Sequence, residues 1–173
     1  MDSPSVVYEN PWFRVRKDGP WHWIEQPGAV DGRSAVVVAL CGDRFVFELN
    51  LRRALGKSLV EFPRGGANDG EGAEACALRE LAEETGFRPL PGTLRKLGCV
   101  HPDGGLLSSS VSVFLVEVER TEAETDGEAS SIFELSRSEI LSAVVSGQIT
   151  DGFTLSALAL LWASESVVFV DQT

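Results

Sequence analysis

The run Arg79-Glu80-Leu81-Ala82-Glu83-Glu84 constrains this chain more than any other segment. From Gly72 to Thr85 apolar residues (Ala73, Ala77, Leu78, Leu81, Ala82) recur at spacings of three and four, which predicts an amphipathic helix. Gly86 is placed to end it in the left-handed conformation. On that helix Glu80 and Glu84 stand four apart and Glu80 and Glu83 three apart, so three carboxylates gather near one face. Like charges at this spacing repel. Arg79 reaches Glu83 one turn later, but one cation cannot neutralise three anions. Oxygen ligands in this pattern suit Mg²⁺ or Mn²⁺ and need no Cys or His. A solvated acidic helix surface is the alternative reading of the triplet taken alone.

The charge of the whole chain bears on the choice. The formal net charge is -11, which makes the protein a poor partner for nucleic acid or an anionic membrane surface. A divalent cation can still bridge it to an anionic small molecule, and Gly65-Gly66 just upstream permits close approach of backbone to metal or phosphate. No apolar run is long enough to span a bilayer; Leu155–Trp162 fits a buried helix. Met1-Asp2-Ser3-Pro4 has the character of no signal peptide. Cys41, Cys76 and Cys99 are odd in number and lack metal-ligand spacing, so reduced thiols in or near the core and a cytoplasmic protein are expected. At 173 residues the chain suits one domain.

Elsewhere the pattern is mostly that of strands. Trp12-Phe13-Arg14-Val15-Arg16 and Trp21-His22-Trp23-Ile24 flank the turn Asp18-Gly19-Pro20 and predict an N-terminal hairpin within residues 1–30. Ala35–Leu40, the turn Gly42-Asp43 and Arg44–Leu49 predict a second. Glu61–Gly66 and Asn68-Asp69-Gly70 read as loop. Leu94–Val100 and Ser109–Glu119 read as strands, the latter with Val111, Val113 and Leu115 on one face and Phe114, Val116 and Val118 on the other. Thr121–Ser130 reads as an acidic loop, Ser138–Ser146 as a helix capped by Ser136 or Ser138, Asp151–Ala163 as another helix and Val167–Val170 as a last strand. The sum is an α/β (α+β) protein with helices packed on a mostly β body.

The wider spacing decides between the two readings of the triplet. Gly65, Glu71, Arg79, Glu80, Leu81, Glu83, Glu84, Gly86 and Phe87 match every fixed position of the Nudix box, so the chain resembles the Nudix hydrolases over residues 65–87. Weaker likeness covers most of the rest. Asn50–Gly56 followed by Glu61-Phe62-Pro63, the loop His101–Leu106, and Ile149–Thr154 before a terminal helix all resemble the ADP-ribose and nucleotide-sugar pyrophosphatases of that family.

The resemblance implies an α/β/α sandwich with a mixed sheet, and hydrolysis of the diphosphate in a nucleoside diphosphate linked to another group. It implies Mg²⁺, or Mn²⁺, held by Glu80, Glu83, Glu84 and the backbone carbonyl of Arg64. Glu83, Glu84 and a loop glutamate are the implied catalytic groups; Glu128 is the best match for the last, with Glu122 and Glu124 as competitors. Arg52, Pro102 and Asp103 are implied to meet the substrate, and Glu61 the substrate or the metal. Trp12, Trp21 or Trp23 is a candidate to stack on the base, with Trp12 as the substrate-binding residue implied. Gly65, Glu71, Arg79 and Gly86 are implied to shape the box, with Arg79 orienting a glutamate. A homodimer is expected, with residues 1–30 as a dimer element. Three departures bear on ADP-ribose specificity and not on hydrolysis: Asn50-Leu51 replaces Gln-Tyr, Arg64 replaces a small residue, and Ser108-Ser109-Ser110 stands where an acidic residue is common. Nudix action on nucleoside triphosphates or dinucleotides, and a non-catalytic nucleotide sensor, are the competing functions.

Overall fold

A computed structural model describes residues 4–122, 125–127 and 129–170, the last four by backbone alone. Three strands open the chain: β1 (Ser5–Glu9), β2 (Arg14–Asp18) and β3 (Trp21–Glu25) form an antiparallel sheet in that order. The expected hairpin is its β2–β3 half, turning at Gly19 with φ +56°. Trp12 and Phe13 lie outside it, contrary to expectation. Asn10 Oδ1 accepts from the N–H groups of Trp12 and Phe13, both at 2.9 Å, and this side-chain turn holds them out of the ladder.

The main sheet has eight strands: β4 (Ser34–Cys41), β5 (Arg44–Arg52), β6 (Lys57–Glu61), β7 (Arg64–Gly65), β8 (Arg88–Pro89), β9 (Arg95–Val100), β10 (Val111–Glu119) and β11 (Ser131–Ser136). Its central path runs β11-β5-β4-β10-β8, with β6 beside β5, β7 beside β4 and β9 beside β10. The β4–β10 pair is parallel and the others are antiparallel. Helices α1 (Ala73–Thr85), α2 (Arg137–Val145) and α3 (Gly152–Val170) cover the faces.

Alternation along the strands explains the layering. Val36 and Val38 of β4, Phe45 and Phe47 of β5, and Val111 and Val113 of β10 join Ile140 and Ala143 of α2 and Ala157, Leu158 and Leu161 of α3 in one core. The intervening Ala35, Val37, Ala39, Val46, Phe114, Val116 and Val118 join Cys76, Ala77 and Leu81 of α1 in another. A sheet buried on both faces needs apolar residues at consecutive positions, which is what β4 and β10 supply. The result is the α/β/α sandwich.

Several elements differ from the sequence expectation. Glu61–Gly66 is not all loop, since it closes β6 and contains β7, which pairs Ala35 with Gly65 and Val36 with Arg64. Val167–Val170 continues α3 instead of forming a strand. In the polar run before it, the Ser164 and Ser166 hydroxyls donate to the Leu161 and Trp162 carbonyls within the helix. Cys99 is exposed and not near the core, because β9 pairs only with β10 among the described strands. Of the two serines considered, Ser136 is the cap of α2: its Oγ accepts from Glu139 N while the Glu139 carboxylate accepts from Ser136 N.

Ser136→Ala is therefore expected to cost about 1 kcal/mol in urea unfolding, while Ser138→Ala stays within about 0.5 kcal/mol of wild type. A larger loss in Ser138→Ala than in Ser136→Ala would move the cap to Ser138.

Candidate active site

Helix α1 does not place its three glutamates alike. The buried stripe runs Ala77, Leu81, Glu84, so Glu84 points inward with the apolar residues. Glu80 is largely buried at the side, and Glu83, 100° further round than Glu84, is half exposed. The expectation of one shared face holds only loosely. Arg79 organises the rest: its guanidinium donates to Glu71, Glu80 and Glu83 at 2.8–2.9 Å and to the Gly66 carbonyl at 2.8 Å. Glu71 also accepts from Asn68 N, and its carboxyl is held down to about 2 by the Arg79 hydrogen bond. Gly65 is required by contact: a Cβ there would coincide with the Glu80 carboxylate. Gly86, at φ +69°, closes the helix by donating its N–H to the Ala82 carbonyl.

The strands bring up a second set of charges. Val37 N donates to the Pro63 carbonyl at 2.9 Å and Phe62 N to Thr154 Oγ1 at 3.0 Å, which pins residues 61–65 between β4 and the start of α3. Arg64 N then donates to Glu84 Oε2 at 2.9 Å, joining β7 to α1. Glu61 is fully buried between two arginines: Arg52 binds it through both Nε and Nη2, and Arg64 through Nε at 3.2 Å. The Arg64 guanidinium also stacks on Phe153, 4.5 Å from the ring centroid, and lies 3.9 Å from Asp151.

One residue of this set escaped the sequence reading. Glu48 on β5 is fully buried directly opposite Glu61 on β6. Its Oε1 accepts from Asn50 Nδ2 at 2.6 Å, and its Oε2 has no hydrogen-bond partner among the described residues. The available signal was a lone carboxylate inside Phe45-Val46-Phe47-Glu48-Leu49.

Burial sets the electrostatics. It pushes the Glu84 carboxyl up to about 9, with the nearby Glu48 charge adding to the effect and the Arg64 N–H opposing it. It pushes Glu48 up to about 7. Among the described residues neither is paired with an arginine side chain. As they stand, no three His, Cys, Asp or Glu side chains of the described residues are gathered closely enough to hold a metal ion. The donor set nonetheless fits a hard divalent cation: all ligands are oxygens, Glu48 Oε2 is an orphaned buried acceptor, and Gly65 leaves room for the Glu80 carboxylate.

Beside these groups lies a cavity of about 390 Å³, lined by Trp12, Gln26, Gly28, Arg64, Gly65, Gly66 and Phe153 among others. That volume accommodates a nucleotide-sized ligand. Trp12 is thus brought to the glycine loop. Pro102 and Asp103 lie in an exposed loop, where Asp103 Oδ1 accepts from Gly105 N and its carbonyl accepts from Leu106 and Leu107. That loop is tied to β3 through Ile24 N to Leu106 O at 2.7 Å and Ser108 N to Ile24 O at 3.0 Å. In the acidic loop, Asp126 N donates to the Glu83 carbonyl at 2.8 Å. Glu128 and Glu124 lie outside the described residues. A cavity of about 520 Å³ opens near β11 and α2, but Glu139, the carboxylate on its wall, is engaged in capping α2.

Residues 31–148 match the NUDIX domain family. The chain belongs to the Nudix family. It is 30% identical over 149 residues to the ADP-ribose pyrophosphatase of Bacillus subtilis (strain 168), covering 83% of this chain and 77% of that one. It is 32% identical over 99 residues to the ADP-sugar pyrophosphatase of Mus musculus, covering 53% of this chain and 44% of that one. The crystal structure of an ADP compounds hydrolase superposes with a TM-score of 0.73 at 16% identity, covering 95% of this chain and 93% of the other, and shows the same fold. This Nudix enzyme therefore keeps the box intact in sequence and in its Arg79-centred packing.

Two outcomes test the geometry. Gly65→Ala forces the Glu80 carboxylate aside, and Mn²⁺ titration is expected to show affinity reduced by about 10- to 100-fold. The second concerns pH. A carboxyl raised from 4.5 to about 9 in the folded state binds its proton more tightly there than in the unfolded chain, so its contribution to stability is lost as pH rises across that window. In chelator, the melting temperature of wild type should fall more steeply between pH 5 and pH 9 than that of Glu84→Gln. Parallel curves would show that Glu84 ionises normally.

Proposed function

We propose that this enzyme hydrolyses the diphosphate of a nucleoside diphosphate linked to another group, ADP-ribose or a nucleotide sugar, to a nucleoside monophosphate and a sugar phosphate. The observation that carries this reading is the placement of Arg64, Gly65 and Gly66, tied to Glu84 and Arg79 of α1 by hydrogen bonds, in the wall of a cavity that Trp12 also lines. The Bacillus ADP-ribose pyrophosphatase, alike over most of both chains, supports the substrate class.

Glu80, Glu83 and Glu84, with the Arg64 carbonyl, are the groups to hold Mg²⁺ or Mn²⁺. When bound, such a cation would supply charge against the phosphate oxygens and lower the pKa of a water. The oxygen of that water bonds to one phosphorus as the bond from that phosphorus to the bridging oxygen breaks. One carboxylate takes the water's proton: Glu83 or Glu84 on α1, or Glu128 on the acidic loop. Arg52, with Nε and Nη2 fixed by Glu61 and about a third of its side chain exposed, presents its remaining N–H groups to the phosphates. Glu61 holds both Arg52 and Arg64 in place. Trp12, 75% exposed, offers its ring to the base, and Pro102 and Asp103 border the distal group.

Further parts of the reading concern partners and place. The exposed Val6, Val7, Tyr8, Trp12 and Trp21 of the N-terminal segment support a homodimer built through it. A small-molecule substrate, and neither nucleic acid nor membrane, suits a net charge of -11 and described helices none of which is long and apolar enough to cross a bilayer. Three unpaired cysteines fit a cytoplasmic location.

Purified protein with Mg²⁺ and a panel of nucleoside diphosphate sugars, ADP-ribose, dinucleotides and nucleoside triphosphates should release a monophosphate plus a sugar phosphate, and chelator should stop it. Pyrophosphate from triphosphates alone would move the enzyme to another Nudix substrate class, and silence would favour a sensor. Glu84→Gln is expected to lower turnover by about 100-fold or more, with little loss of stability; wild-type activity at saturating Mg²⁺ would remove Glu84 from the ligand set.

A further inference from the structure

We propose that Glu48 is a further ligand of the divalent cation, contributed by strand β5 and not by the box helix. The inference rests on the metal-dependent reading above.

Along β5, side chains two apart share a face. Val46 packs in the α1 layer, so Glu48, Asn50 and Arg52 look toward the same side as α1, the side on which Glu84 is buried. Glu61 stands opposite Glu48 in the β5–β6 register. Arg64 joins the two sides, its N–H donating to Glu84 Oε2 at 2.9 Å and its guanidinium to Glu61, the residue opposite Glu48. Strand and helix thus bring two carboxylates from distant parts of the chain together inside the protein.

Glu48 is committed on one side only. Asn50 Nδ2 holds Oε1 and orients the carboxylate, while Oε2 is buried without a partner among the described residues. The nearby cations Arg52 and Arg64 are engaged by Glu61. A fully buried carboxylate with an unmatched oxygen is unfavourable unless another group completes it. Mg²⁺ is commonly held by one or two carboxylates, with water and phosphate filling its octahedron. A Glu48–Glu84 pair meets that requirement without a third protein carboxylate.

The test is a titration of free Mn²⁺ by electron paramagnetic resonance on metal-free wild type, Glu48→Gln and Glu84→Gln, with circular dichroism as the check on folding. Glu48→Gln is nearly isosteric. It is expected to keep the wild-type spectrum and to lose a bound ion or bind Mn²⁺ about 10-fold or more weakly. Wild-type stoichiometry and affinity in Glu48→Gln, with binding impaired in Glu84→Gln, would overturn the proposal and leave the functional reading standing. No Mn²⁺ binding by wild type would overturn both. Should Glu48→Gln not fold, Mn²⁺-soaked crystals of wild type decide: an anomalous peak at about 2.1 Å from Glu48 Oε2 supports the proposal, and an ion on the α1 glutamates with Glu48 outside its coordination shell overturns it.

Discussion

The Arg79 guanidinium is the interaction on which the site depends. A planar group with five N–H donors can serve several acceptors at once without moving. Here it spans the glycine loop through Gly66, the turn before α1 through Glu71, and two successive turns of α1 through Glu80 and Glu83. A lysine, with one mobile ammonium, could not hold all of these in fixed relation. The arrangement also divides the charge. Arg79 answers the outer glutamates, Glu61 answers Arg52 and Arg64, and the innermost carboxylates, Glu84 and Glu48, lack an arginine partner among the described residues. The imbalance sits where a divalent ion would balance it.

Local signals carried much of this into the sequence. The three- and four-residue spacing announced α1, the Gly42-Asp43 turn announced the β4–β5 hairpin, and the alternation in β10 assigned its two faces correctly. What escaped depended on pairing. β7 and β8 have two residues each and exist only because β4 and β10 hold them. Glu48 reads as one polar residue in an apolar strand; only the register with β6 and the depth of α1 turn it into part of the site. The alternation of Trp12 and Phe13 predicts strand, and a single Asn10 side chain overrides that pattern. At the other end, Val167–Val170 has the β-branched content of a strand but follows a helix already under way.

The cavity wall is assembled differently from the chemical groups. The N-terminal sheet meets the body through Ile24, whose N–H and carbonyl engage Leu106 and Ser108 in the loop that carries Pro102 and Asp103. The N-terminal sheet and that loop are therefore coupled through this short bridge. Gly28 makes a similar join, accepting from Ala67 N at 2.9 Å just past the glycine loop.

The parallel pairing of β4 with β10 has a consequence for how such an enzyme diverges. The two strands are neighbours at the centre of the sheet, and the excursion between them, residues 42–110, contains Glu48, Arg52, Glu61, Arg64 and the whole box. Trp12, Gln26, Gly28 and Phe153, which face the same cavity, come from before and after it. On the proposed reading, the groups that would hold the cation lie in one uninterrupted stretch, and part of the cavity wall in the flanks. Changes in the flanks can reshape what is admitted while the cutting apparatus stays as it is, so one chemical engine can be inherited intact by enzymes with different diets.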